Sequence, residues 1–143
     1  MTAAPWLITG GSLSGIAAAL HLAIIAGGPA WYRWFGAGER MAAMAERGEV
    51  RPAIVTLGIA MVLGLFAAYA FSAAGLIAKL PLLRLALIGI TGIYLARGLA
   101  LAPLLIWKPH LVTSFIVWSS VIVLVYGLVH AIGTWLVWPD LQA

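Results

Sequence analysis

The chain has no cysteine, only four acidic residues and a charged fraction of 8% over 143 residues. Each shortage excludes something. Without cysteine there is no disulfide scaffold, no thiolate metal site and no thiol nucleophile. Soluble domains carry roughly 25% charged residues and about 45–50% apolar ones, and this chain is 64% hydrophobic. So little charge cannot cover a water-facing surface, so a soluble globular protein is excluded. The four acids are Glu39, Glu46, Glu49 and Asp140. A pair of carboxylates for acid–base hydrolysis is therefore missing from the apolar runs, and their serines have no carboxylate with which to build a triad. No H-E-x-x-H, nucleotide loop or nucleophile elbow occurs.

What is present is hydrophobic length. A membrane helix needs about 20 predominantly apolar residues. Four stretches meet this, at about residues 6–28, 52–76, 82–107 and 111–138. The runs are apolar all round and far longer than the alternating segments, about 10 residues each, of a membrane β-barrel. The first run has no Lys or Arg before Trp6 and ends at Gly27-Gly28-Pro29, so it reads as a retained helix and not as a cleaved signal peptide. The expected fold is an all-α integral membrane protein: one membrane domain, 1–143, with four transmembrane helices in an antiparallel bundle.

Positive residues predict the orientation. The loop 29–51 carries Arg33, Arg40, Arg47 and Arg51, and Lys108 follows the third run. Only Lys79 and Arg84 lie at the opposite ends. Cytoplasmic loops collect Lys and Arg, which puts loop 29–51 in the cytoplasm and both termini outside an inner, cytoplasmic membrane. Trp6, Trp135 and Trp138 then mark one headgroup level and Trp31, Trp34 and Trp107 the other. The net charge of +4 suits anionic lipid headgroups and is no argument for nucleic acid. Within the loop, Glu39 to Arg47 is rich in Ala and Met and is followed by Gly48, which predicts a short amphipathic helix with a glycine C-cap.

Polar residues inside the runs carry the functional signal. Arg97 lies roughly 13 Å from the inner end of the third run, at about 1.5 Å per residue. A charge at such depth costs about 2.5–3.5 kcal/mol even on the lenient insertion scale. No run contains Asp or Glu. Arg97 must then meet a loop carboxylate, backbone carbonyls, water or an anionic ligand. Pro103 has no N–H and frees the carbonyl of Leu99 as one acceptor. Tyr94 lies at i−3 on the same face, and Glu39 is the candidate counter-charge. His21 shares a face with Gly11, Ser14 and Ala18, small residues that let helices approach. His130 has Tyr126 at i−4 and Thr134 at i+4.

The candidate ligand-binding residues are therefore Arg97, His21, Tyr94, Glu39, His130 and Tyr126. No metal and no cofactor is expected. A haem shared by His21 and His130 would need both at one depth, whereas they fall about 6 Å inside and about 9 Å outside the midplane, counting about 1.5 Å per residue. Three functions are weighed. The first is binding or transport of a small anionic or polar molecule or a lipid, with membrane lipids and a homo-oligomer as partners. The second is an accessory or scaffold subunit of a larger membrane complex. The third is a membrane enzyme on a lipid or isoprenoid, with His21 or His130 as proton donor.

Overall fold

The computed structural model describes residues 2–141. It contains six α-helices: α1 (Ala3–Trp34), α2 (Glu39–Glu46), α3 (Arg51–Ala73), α4 (Leu83–Leu99), α5 (Leu101–Trp107) and α6 (Ser114–Val137). Short 3₁₀ turns cover Pro109–Leu111 and Trp138–Leu141. There is no strand among the described residues. Four helical segments are long and apolar enough to cross a membrane: Ala3–Trp34, Arg51–Ala73, Leu83–Trp107 and Ser114–Leu141. This is the pattern of a multi-pass membrane protein.

The helix boundaries follow local chemistry. α1 continues past the expected end at residue 28, but Gly28 breaks it with φ 67°, ψ −152°. Pro29 follows and cannot donate to the preceding turn, so a separate helical turn begins there. The indole of Trp31 folds back over Gly27, where a Cβ would overlap it. The third run is likewise divided. α4 ends at Leu99 and α5 starts at Leu101, four to two residues ahead of Pro103, whose missing N–H interrupts the ladder. α6 starts later than expected, at Ser114, because the Thr113 hydroxyl accepts from the Ile116 N–H at 3.2 Å and caps the helix.

The short helix expected in the first loop is α2. Its end is a Schellman motif: the Gly48 N–H donates to the Ala45 carbonyl at 3.0 Å and the Glu49 N–H to the Met44 carbonyl at 3.0 Å. Gly48 has φ 74°, a left-handed conformation that glycine adopts without a Cβ penalty.

Internal contacts divide the chain into two compact units, Ser14–Leu65 and Met1–Leu13 with Phe66–Ala143. In the Ser14–Leu65 unit, Ile24, Tyr32 and Ala42 form a buried cluster against which Phe35, Met41 and Ala45 pack. Met44 is buried as well, so α2 turns an apolar face inward and leaves Glu39, Arg40, Glu46 and Arg47 exposed. Arg33 braces that helix at both ends. Its Nε and Nη2 donate to the Glu39 carboxylate at 2.7–3.1 Å, and Nη1 donates to Glu46 Oε1 at 2.7 Å.

In the other unit, α4 and α6 are closely packed and run in opposite directions. Arg84 lies over the Trp138 ring, the Thr91 and Thr134 hydroxyls are 3.4 Å apart, and Arg97 reaches Ser120. Two glycines fix this pairing. A Cβ at Gly98 would lie 2.7 Å from Leu124 Cα, and one at Gly127 would lie 2.8 Å from Leu95 Cδ2. Each helix thus receives a leucine of the other in a notch, the close approach that small residues allow between membrane helices. The first turns of α1 join them: Leu7 is fully buried in a cluster with Leu83, Leu87 and Val137 and fills the space in front of Gly133.

Candidate functional site

The polar side chains of α4 and α6 fall into two groups. The first is an aromatic cluster around His130. The imidazole is fully buried, and its Nδ1 lies 2.9 Å from the Tyr126 carbonyl one helical turn back. A carbonyl only accepts, so Nδ1 carries the proton and Nε2 of the neutral ring is a bare acceptor. Nε2 is buried with no hydrogen-bond partner. The Tyr94 ring contacts three neighbours, with centroids 5.1 Å from His130, 5.6 Å from Tyr126 and 5.5 Å from Phe66. The two tyrosine–aromatic contacts other than His130 are edge-on, the geometry that ring quadrupoles favour. Gly10 of α1 completes the cluster by leaving room for the imidazole face.

The second group is Arg97 with two serines. Arg97 Nη1 donates to Ser120 Oγ at 3.0 Å, and Nη2 donates to Ser119 Oγ at a long 3.4 Å. Ser119 passes its own proton to the Ile116 carbonyl at 3.2 Å. Ser120 is buried, while Arg97 is exposed. No ion pair among the described residues includes Arg97. The guanidinium has five N–H donors, and these contacts occupy only two of its three nitrogens. Trp118 stands exposed on α6 beside Ser119.

Of the six residues singled out in the sequence, Arg97, Tyr94, Tyr126 and His130 lie together on α4 and α6, Tyr94 being the link from the arginine's helix to the histidine. His21 and Glu39 belong to the Ser14–Leu65 unit. There His21 is half-buried, with Nδ1 2.7 Å from the Ala17 carbonyl, the same one-turn arrangement as His130. The Glu39 carboxylate is engaged by Arg33. That contact holds Glu39 and Glu46 below the usual carboxylate range, chiefly through the Arg33 hydrogen bonds. Ser119 and Ser120 were not anticipated as acceptors for Arg97. A sequence carries no cross-helix register, and the Gly98 and Gly127 notches that set it look like ordinary glycines. Among the described residues, no three His, Asp or Glu side chains gather as a metal site would require.

The chain matches no family model, and no curated protein or solved structure shows significant similarity to it.

Proposed function

We propose that this chain is a four-helix antiparallel membrane protein that binds a small anionic or polar group at Arg97. The observation that carries this reading is a guanidinium within the third apolar segment that is offered two serine hydroxyls and, among the described residues, no carboxylate. Hydroxyls orient an arginine without neutralising it. A cation retained at this depth is expensive, and its spare donors suit a phosphate, carboxylate or similar head. The exposure of Arg97 leaves it open to a ligand arriving from the bilayer. Tyr94, one turn before Arg97, packs on the buried His130. In this reading loop 29–51 faces the cytoplasm, both termini lie outside, and α2 rests on the inner surface.

The test is thermal unfolding of the detergent-purified protein titrated with sodium phosphate, sodium acetate and decyl phosphate. One of these raises the melting temperature saturably in the wild type. Arg97→Gln abolishes the rise, and Arg97→Lys keeps part of it. Equal stabilisation of wild type and Arg97→Gln overturns the proposal.

A second reading is favoured by the surroundings of Arg97 on α4. Gly92 and Ala96, four residues apart, form an exposed stripe of small residues on α4, and an added Cβ at Gly92 meets nothing within 4 Å. Such a stripe suits close approach by a neighbouring helix, as in a subunit of a larger complex. A defined larger assembly in mild detergent that dissociates in Arg97→Gln, with no anion effect, would move the assignment there.

A further inference from the structure

A separate feature lies where α3 hands over to α4. Lys79, Leu80, Leu82, Leu83, Arg84 and Leu85, with Leu141, line an open groove of about 460 Å³. The turn that carries it is tied to α3. Ser72 Oγ donates to the Ala78 carbonyl at 3.0 Å and accepts from the Leu80 N–H at 2.9 Å, while the Tyr69 hydroxyl donates to the Pro81 carbonyl at 3.1 Å. Leu82 is the one non-glycine residue with positive φ among the described residues, at 55°. An L-residue held in that region is strained, and such strain gathers at functional sites. Leu82 is nonetheless exposed, as is Leu85.

Two cations border the groove, and neither takes part in an ion pair among the described residues. The Arg84 guanidinium lies 4.2 Å from the centroid of the Trp138 ring. Stacking on an aromatic face fixes the plane of an arginine and leaves its N–H edges free for bidentate contact with an oxyanion. Lys79 adds a mobile point charge. An acid, Asp140, stands next to the lining residue Leu141 in the sequence. The rest of the lining is leucine. A pair of cations at the end of an apolar segment, over a leucine floor, matches an amphiphile with an anionic head and a hydrocarbon tail.

We propose that this groove binds the phosphate of one anionic phospholipid. Arg84 and Lys79 engage the phosphate oxygens, and the first carbons of an acyl chain cover Leu82 and Leu85. The site is distinct from Arg97 and does not depend on the function proposed above.

The experiment is native mass spectrometry of the full protein, delipidated in mild detergent and titrated with phosphatidylglycerol or phosphatidylcholine. The first phosphatidylglycerol binds ahead of phosphatidylcholine. Lys79→Gln/Arg84→Gln weakens that first event by about tenfold, the scale of two charge-assisted contacts at a partly exposed site. The Lys79 side chain makes no hydrogen bond among the described residues, so Lys79→Gln alone, with a smaller loss, decides the matter if the double variant does not fold. An unchanged preference in these variants overturns the proposal. So does displacement of the lipid by millimolar inorganic phosphate as readily as by dodecyl phosphate, which would make the site one for a free anion.

Discussion

The His130 imidazole lies against Gly10, so close that a Cβ at residue 10 would stand 2.8 Å from the ring's Cε1 and 3.1 Å from both nitrogens. The ring is rigid and fully buried, and its Nδ1–H is committed to the Tyr126 carbonyl. Gly10→Ala therefore cannot be absorbed by a flexible side chain. It should lower stability by about 1–3 kcal/mol, the usual cost of overpacking a tight core. Thermal unfolding in detergent measures this. In a double-mutant cycle with His130→Ala, which empties the site, the Gly10→Ala penalty should largely vanish. An undiminished penalty would show that residue 10 is crowded by something other than the imidazole.

The α4–α6 pairing gives a matched contrast. Gly98→Ala drives a methyl into the Leu124 backbone at 2.7 Å, and backbone cannot rotate aside. A loss of about 1–3 kcal/mol is expected. Gly89→Ala on the same helix meets nothing within 4 Å and should stay within about 0.5 kcal/mol of wild type. Resistance to unfolding by a denaturing detergent separates the two. Equal behaviour would contradict the packing.

Ser120 is buried and accepts from Arg97 at 3.0 Å. Ser120→Ala removes the shorter of the two Arg97 contacts and should cost about 1–2 kcal/mol, since hydrogen bonds to charged groups exceed neutral ones. Ser119→Ala, at 3.4 Å, should cost less. If Arg97 is also the anion site, Ser120→Ala weakens anion stabilisation several-fold without abolishing it, because the charge remains. Unfolding midpoints with and without phosphate test both statements.

The brace on α2 is acid-sensitive. Arg33 lowers the carboxyl pKa values of Glu39 and Glu46 through hydrogen bonds. For a carboxyl lowered on folding, the stabilisation is complete above the unfolded pKa, about 4.3 for Glu, and is lost as pH falls through the lower folded values. The order of α2 should hold from neutrality to about pH 5 and fall below about pH 4. Glu39→Gln/Glu46→Gln should loosen it at all pH values. Amide hydrogen exchange across residues 39–47 reads this directly, and protection independent of pH would refute it.

How much of this could be read in advance depended on range. The four apolar segments and α2 were legible because each is a local composition, and Gly48 announced its cap. Gly28-Pro29 and Pro103 were visible as breakers, yet their results differed. Helix resumes after Gly28 because Pro29 suits a first turn, whereas Pro103 separates α4 from α5. Tyr126 and His130 on one stripe followed from helical periodicity. The partners of Arg97 did not, because they lie on another helix at a register set by two glycine notches. With no acid in the spans, Glu39 is the carboxylate a sequence offers to Arg97, while in the fold Arg33, six residues away, engages it through the turn before α2.

The reciprocal notches at Gly98 and Gly127 also limit how α4 can slide against α6. Sliding α4 along α6 by one turn, about 5.4 Å, would set Leu95 and Leu124 against larger neighbours, so the pair behaves as a latch with one closed position. Two residues beyond Gly98 the helix is interrupted, and α5 buries none of its residues. A ligand held at Arg97 would meet this lightly covered segment without having to unpack a core.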